Sequence, residues 1–223
     1  MSTKKVVAHA FLDPARPFDR YHHYYARAKL ATDPVYRGVL QALQGCEAPL
    51  LDVGCGIGLL LHAMRAAGRD LAYLGVDLDP RKIDTARDAM ARAQLAGASF
   101  ECGDAAAGLP PHAGSVAILD VMQFLPDHAA REALLAAAIA RVRADGRLVI
   151  RTGLADGSTR AGITRVVDRL SNLWGWMRTG PDRYPEREWL QQRLADAGFL
   201  VRFSPLSGNT PFNNWLVVAQ RNT

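Results

Sequence analysis

From Pro49 onward, short apolar runs alternate with stretches whose apolar residues recur at helical spacing. APLLDV reads as a buried strand and GLLLHAMRAAG as a helix ended by Gly68. LAYLGVDLD is a second strand, followed by PRKIDTARDAMARAQLAG, a helix with Pro80 at its first position and Gly97 past its end. Proline fits there because the first helical N–H has no partner within the helix, and glycine tolerates the left-handed turn that stops one. ASFECGD and SVAILDV predict a third and a fourth strand, DHAAREALLAAAIARVRADG a helix capped by Asp127, and GRLVIRTG a fifth strand. Apolar strands alternating with amphipathic helices predict an α/β fold, with a doubly wound, mostly parallel sheet covered on both faces.

Segments of different character frame this alternation. Before it, FDRYHHYYARAKL carries Phe18, Tyr21 and Tyr25 at helical spacing. Asp33 is placed to cap a helix that starts at Pro34 and carries Val35, Val39, Leu40 and Leu43 on one face. These predict an N-terminal helical cap over residues 1–47, with a Rossmann-like domain over 48–223. After the fifth strand, residues from about 156 to 184 fit no strand–helix unit and predict a helical insert. There Ile163, Val166, Val167, Leu170, Leu173, Trp174 and Met177 share one helical face, opposite Arg165, Asp168, Arg169 and Asn172. PEREWLQQRLADAG resumes as a helix, and LVRFSPLSG and WLVVAQR read as two closing strands.

Composition narrows the class without naming a partner. The chain has 223 residues, 49% hydrophobic and 22% charged, an ordinary globular make-up. Its net charge of +5 is diffuse: residues 1–110 hold 13 Lys and Arg against 12 Asp and Glu, and the rest 14 against 10. No dense basic block occurs, so nucleic acid is not expected as a partner. The three cysteines, Cys46, Cys55 and Cys102, show no paired spacing, so neither a metal site nor a disulfide framework is expected. They fit a reducing, cytoplasmic setting, and no apolar run reaches the roughly 18 residues of a membrane span.

The candidate chemistry concentrates in LLDVGCGIGLL, where Gly54, Gly56 and Gly58 sit at a strand-to-helix turn. Such loops often seat phosphate, but the residue counts exclude both phosphate motifs. A dinucleotide fingerprint needs a glycine where Leu59 stands, and a phosphate-binding P-loop needs a Gly-Lys pair that occurs nowhere in the chain. Asp52, at the strand's end, would repel a pyrophosphate and attract a positively charged amino group. Asp77 ends the second strand 19 residues after Gly58, where a carboxylate can accept both hydroxyls of a ribose. Asp104 ends the third strand, placed for an adenine amino group. The fourth strand runs into ILDVMQFLPD, bringing Asp120 through Pro126 to the crevice where strand order reverses.

Taken in order, these motifs resemble those of the class I S-adenosylmethionine-dependent methyltransferases, in the branch acting on small molecules. LLDVGCGIG is similar to the family's first motif, GVDLDP to its ribose-binding acidic motif, GDAAAGLP to its adenine motif and ILDVMQFLP to its fourth-strand motif. RVRADGRLVI resembles the segment that precedes strand five. The likeness is close over roughly residues 48–153 and extends over 185–221 in element order only. It implies a seven-stranded sheet of order 3-2-1-4-5-7-6, its last strand antiparallel, and S-adenosylmethionine as the cofactor. Gly54, Cys55, Gly56 and Gly58 would pass beneath the methionyl part, with Asp52 helping to hold its ammonium. Asp77 would bind the ribose, Leu78 would pack on the adenine, and Asp104 with the Ala105 backbone would read the adenine edge. Asp120 and Gln123 would border the methionyl end. Gln123 stands where some relatives carry histidine; it can hydrogen-bond but cannot act as a base at neutral pH. Ala144-Asp145-Gly146 replaces a Pro-Gly-Gly signature and keeps one turn glycine.

Methyl transfer from a sulfonium is an in-line displacement. The protein supplies alignment and exclusion of water, and a base only where the acceptor must lose a proton. Candidate catalytic groups are His22, His23 and Asp120; helices like the one holding the two histidines often fold over the cofactor mouth in this family. A half-buried aromatic helix face with one exposed histidine is the alternative there. His128 reads as a solvated first-turn residue and His112 as an exposed loop residue. No Asn-Pro-Pro-Tyr or Asp-Pro-Pro-Tyr follows strand four, as it does in relatives that methylate adenine or amide nitrogen, which favours O-, C- or amine methylation. A roof of Trp174, Trp176 and Met177 would suit a small aromatic or apolar acceptor, free or linked to a carrier or lipid. The same stripe would equally pack on the sheet's helices or rest on an anionic membrane surface. Two rival functions stand beside this one: a non-catalytic S-adenosylmethionine-binding partner subunit and, less favoured by the diffuse charge, an RNA methyltransferase. The residues do not set an oligomeric state.

Overall fold

A computed structural model of the chain describes residues 7–15, 18–155, 184–206 and 213–222. The strands are β1 (Leu50–Val53), β2 (Tyr73–Asp77), β3 (Ala98–Cys102), β4 (Ser115–Leu119), β5 (Arg147–Gly153), β6 (Phe199–Pro205) and β7 (Asn214–Arg221). They form one seven-stranded sheet of order β3-β2-β1-β4-β5-β7-β6, as the resemblance implies. β1 to β5 pair in parallel, while β7 runs antiparallel to both β5 and β6. Strand order reverses between β1 and β4, opening a crevice at their C-terminal ends.

The helices are α1 (Tyr21–Thr32), α2 (Val35–Ala42), α3 (Leu59–Ala66), α4 (Pro80–Arg92), α5 (His128–Ile139) and α6 (Arg187–Asp196), with a 3-10 turn at Met122–Phe124. Alternation along β1 divides the core. Leu51 and Val53 pack with Leu134, Leu135, Leu190 and Leu194 of α5 and α6. Leu50 packs on the other face with Val39, Leu60, Leu61 and Ile83 of α2, α3 and α4. Each fully buried aliphatic side chain stabilises the fold by about 1.5–3 kcal/mol relative to exposure, which fixes the strand register from both sides.

Several boundaries differ from the expected ones. α4 begins at Pro80 with Asp79 capping Arg81 N–H, but it ends at Arg92, short of Gly97, because Gln94 turns into the left-handed region at φ 52°. α5, capped by Asp127 at Ala130 N–H, ends at Ile139. Beyond it Val142 bridges to Gly114 beside β4. Phe18 lies outside α1 and is 99% exposed, and α1 buries only Ala26, so the aromatic stripe is not its packed face. α2 starts at Val35, with Pro34 as its cap residue and Asp33 accepting Val35 N–H at 3.0 Å.

α2 also belongs to the sheet's own core, where Val35, Val39, Ala42 and Leu43 pack with Leu50 and Leu61. The smaller cluster of Ala8, Ala10, Phe11 and Ala26 closes over Ile57, Leu59 and Ala89. That places the N-terminal segment against the start of α3. The expected insert, with Ile163 through Met177 and Trp176, lies outside the described residues, as does Pro17.

Candidate active site

The sharp exit from β1 is made by backbone geometry that only glycine adopts without strain. Gly54 and Gly56 have φ of 73° and 58°, in the left-handed region that side chains disfavour. Gly54 and Cys55 donate their N–H groups to Val76 O at 2.7 and 3.0 Å, pinning the loop to β2. A Cβ on Gly54 would lie 2.3 Å from Val121 Cγ2, whereas one on Gly56 would meet nothing within 4 Å. The loop is therefore packed at Gly54 and open at Gly56. Gly58 is closed again, its hypothetical Cβ 2.7 Å from Phe100 Cζ. Cys55 turns its thiol into the core, where burial pushes its pKa far up, so only its backbone borders the loop.

At the end of β2, Asp77 ties the neighbouring strand to this loop. Its Oδ2 accepts Gly56 N–H at 2.9 Å, its Oδ1 accepts Asp79 N–H at 3.0 Å, and Lys82 Nζ lies 3.8 Å away. Leu78 follows with two thirds of its surface exposed, an apolar face at the crevice lip. Asp104 is exposed and accepts Ala106 N–H at 2.8 Å, while Ala105 packs against the core.

Asp52 is buried behind the loop. Tyr73 Oη donates to its Oδ2 at 2.5 Å, and among the described residues its Oδ1 has no partner. Burial raises the Asp52 pKa to about 7; the Tyr73 hydrogen bond opposes the shift and the charge of Asp77 adds to it. A ligand would meet Asp52 as a nearby charge rather than as an open surface carboxylate.

Across the crevice, the β4 end holds a charged network that no single motif announces. Asp120 adopts φ 61°, a left-handed conformation unusual outside glycine. Its N–H donates to Arg151 O at 3.0 Å, and its Oδ2 accepts from Arg151 Nη1 at 2.7 Å. The same Nη1 donates to Asp33 Oδ2 at 2.9 Å, which also receives Lys29 Nζ at 2.8 Å. Gln123 follows in the 3-10 turn, and among the described residues its buried Oε1 has no hydrogen-bond partner. Burial raises the Asp120 pKa against the opposing pull of Arg151 and Lys29. For Asp33 burial acts in the same upward direction, but Arg151 and Lys29 prevail and hold it below the usual value.

The histidines sit elsewhere. His23 Nδ1 is 2.8 Å from Ala8 O, its ring 5.5 Å from that of His9, and His22 lies edge-on to Tyr21. These contacts hold the N-terminal segment rather than reach for the β4 end. His112 is half-buried, not exposed, because its Nε2 engages Ser115 O at 2.9 Å. His128 is exposed and packs edge-on against Trp189. Instead, the cap brings Tyr25 and Tyr36 near the crevice: burial raises both phenols, and the charge of Asp120 is among the smaller contributions. A cavity of about 430 Å³ lies behind Asp33 and Tyr36, between α1, α2 and α3, and no glycine-loop residue lines it.

Tyr73 and Arg151 escape sequence reasoning because each meets its carboxylate partner across the fold, on another element. Asp33 read as a helix cap, and its i,i+4 pairing with Lys29 gave no hint of Arg151. Among the described residues no cluster of three or more His, Cys, Asp or Glu is placed to hold a metal, and no helix is long and apolar enough to cross a membrane.

Comparison with known proteins agrees with this geometry. Residues 50–146 match the methyltransferase domain family. Over 111 residues the chain is 32% identical to the ubiquinone biosynthesis O-methyltransferase of Neisseria meningitidis serogroup A / serotype 4A (strain DSM 15465 / Z2491), covering 48% of this chain and 44% of that relative. The match thus spans less than half of the relative's length. Among solved structures, magnesium protoporphyrin IX methyltransferase from Synechocystis PCC 6803 with bound SAH superimposes with a TM-score of 0.67 at 18% identity, covering 91% of this chain and 88% of the other. An O-methyltransferase family protein from Burkholderia thailandensis gives 0.68 at 21% identity, covering 96% and 62%. These structural likenesses establish the fold.

Proposed function

We propose that this chain transfers a methyl group from S-adenosylmethionine to a small acceptor, a reading supported by the match of residues 50–146 to the methyltransferase domain family and by the seven-stranded fold. The observation that carries this reading is the pairing of an open Gly56 with two buried acceptors that lack donors among the described residues, Asp52 Oδ1 and Gln123 Oε1, on the β1 and β4 sides of one crevice. Such acceptors favour a positive charge nearby, and a cationic ligand in the crevice would supply it. The fit extends outward along the β2 side. Asp77 keeps acceptor capacity for a ribose, Leu78 offers an apolar face to adenine, and Asp104 with the Ala105 backbone borders the adenine edge. Gly54, Cys55 and Gly56 line the methionyl end through backbone alone.

Bound S-adenosylmethionine would supply an electrophilic methyl on a sulfonium. The chain's own contribution is alignment and desolvation. Asp120, held by Arg151, faces the acceptor side as a fixed carboxylate. Its raised pKa suits a group that orients an acceptor hydroxyl or amine and accepts its proton. His23, engaged with Ala8 O, holds the cap in place. Tyr21, Tyr24 and Tyr25 keep exposed faces on α1, which supports an aromatic or apolar acceptor, free or carrier-linked.

Calorimetry with S-adenosylhomocysteine tests the cofactor: micromolar binding is expected, and none at all would refute the proposal. Release of label from methyl-labelled S-adenosylmethionine to a panel of phenolic, amine and acyl-carrier acceptors tests the transfer. Binding without transfer to any member would favour the non-catalytic partner subunit.

A further inference from the structure

The cap and the crevice meet at one guanidinium. Asp33 belongs to the joint between α1 and α2, and Asp120 to the crevice edge after β4; 87 positions apart in the sequence, they share Arg151 Nη1 at 2.9 and 2.7 Å. The side chains of Arg151 and Asp33 are 8% and 7% exposed, and that of Asp120 34%. Lys29 adds a second cation on the cap side, so two carboxylates are balanced by two cations. Arg151 also holds Asp120 a second way, because its carbonyl accepts the N–H of that residue in its left-handed conformation.

Two physical facts give this arrangement meaning. A buried ion network gains little stability over a well-packed apolar replacement, yet removing one member leaves an uncompensated charge. A left-handed, non-glycine residue persists only where its surroundings hold it there. The network therefore fixes a conformation more than it strengthens the fold, and the conformation it fixes is that of Asp120.

We propose that Arg151 is a positioning residue that latches the end of α1 to the crevice, so that the seating of α1 and the orientation of Asp120 are one event. With Asp33 in place, the guanidinium is held from the cap side and presents Nη1 to Asp120. With the cap displaced, Arg151 loses one of its two carboxylates and Asp120 loses its fixed partner. The seating of the cap is thereby coupled to the crevice edge through Arg151. The role of Asp120 beside the cofactor rests on the function proposed above; the latch itself does not.

Hydrogen exchange of the full chain, with and without S-adenosylhomocysteine, tests it on Asp33→Asn, Arg151→Gln and the conservative Arg151→Lys. Asn at 33 retains an acceptor for Val35 N–H, and circular dichroism confirms folding of each variant. In the ligand-free protein, Asp33→Asn is expected to speed amide exchange at least fivefold both in α1 and in residues 120–124, although only α1 lies on the cap side. Exchange confined to α1 would overturn the latch and leave a merely structural tie. With ligand, Asp33→Asn and Arg151→Gln should each weaken S-adenosylhomocysteine about tenfold, with Arg151→Lys recovering part of that loss. Combining Asp33→Asn with Asp120→Asn should cost less than the product of the single effects on α1 exchange, and a strictly multiplicative result would refute the shared latch. If the wild type binds no S-adenosylhomocysteine, the proposed function fails while the ligand-free exchange still decides the latch.

Discussion

Asp77 Oδ2 accepts the backbone N–H of Gly56 at 2.9 Å, so the carboxylate proposed to bind the ribose also closes the glycine loop against the end of β2. Losing it removes a hydrogen bond to a charged acceptor, a contact of about 1.5–3 kcal/mol in general. Asp77→Ala is expected to weaken S-adenosylhomocysteine more than tenfold by calorimetry. Unchanged affinity would remove Asp77 from the cofactor site.

Gly56 and Gly58 separate binding from folding. Both have positive φ, but a methyl on Gly56 enters open space while one on Gly58 strikes the Phe100 ring and lies 3.3 Å from Ala86 Cβ. Gly56→Ala should cost about 1–2 kcal/mol of stability from backbone strain and at least tenfold in cofactor affinity. Gly58→Ala adds overpacking of about 1–3 kcal/mol to the same strain. Paired thermal melts and titrations check the contrast; equal loss of stability in both variants would contradict it.

Asp52 makes stability and binding depend on pH. Its folded pKa of about 7 lies above the ordinary 3.8, chiefly through burial. The folded ligand-free protein therefore keeps a proton that the unfolded chain gives up. Its contribution is fully present below about pH 4 and is lost as pH rises toward 7, at no more than about 1.4 kcal/mol per pH unit. Asp52→Asn, which keeps a neutral side chain, should flatten this part of the stability curve. A cationic ligand favours the carboxylate, so binding near pH 6 should release a proton, seen as a calorimetric enthalpy that varies with buffer ionisation. No buffer dependence would mean that Asp52 does not sense the ligand.

Gly146 is needed for closeness rather than for a turn. A Cβ there would lie 2.1 Å from Gly114 O, and one on Gly114 would lie 2.2 Å from Pro49 O. The expectation that Gly146 serves only as a turn glycine is thereby sharpened: the backbones entering β4 and β5 touch at this point. Gly146→Ala is expected to lower stability by about 1–3 kcal/mol without changing cofactor affinity in the folded fraction, measured by denaturant melts and titration.

The period of the apolar residues determined the sheet and its helices, because strands buried on both faces and helices packed on one face leave different spacings in the chain. Local motifs likewise pointed to Gly54 to Gly58, Asp77 and Asp104, and the fold places them at or just past the ends of β1, β2 and β3. Helix ends were less legible: Gln94 stops α4 before Gly97 because a non-glycine residue accepted the left-handed turn. The aromatic spacing of Phe18, Tyr21 and Tyr25 suggested a packed face, yet α1 buries Ala26 instead.

Tertiary structure alone decided what the charged residues do. Asp52 read as a group that helps to hold an ammonium; the fold sets Tyr73 beside it on the neighbouring strand, and burial there changes its proton affinity. His22 and His23 were candidates by residue type, and the fold turned His23 to Ala8. Asp33, Asp120 and Arg151 stand far apart in the chain, and nothing in their local patterns links them. Periodicity encodes which face a residue presents to its own element's neighbours, a local property. Which charges share a buried site depends on how those elements are brought together, and that is settled only when the sheet is complete.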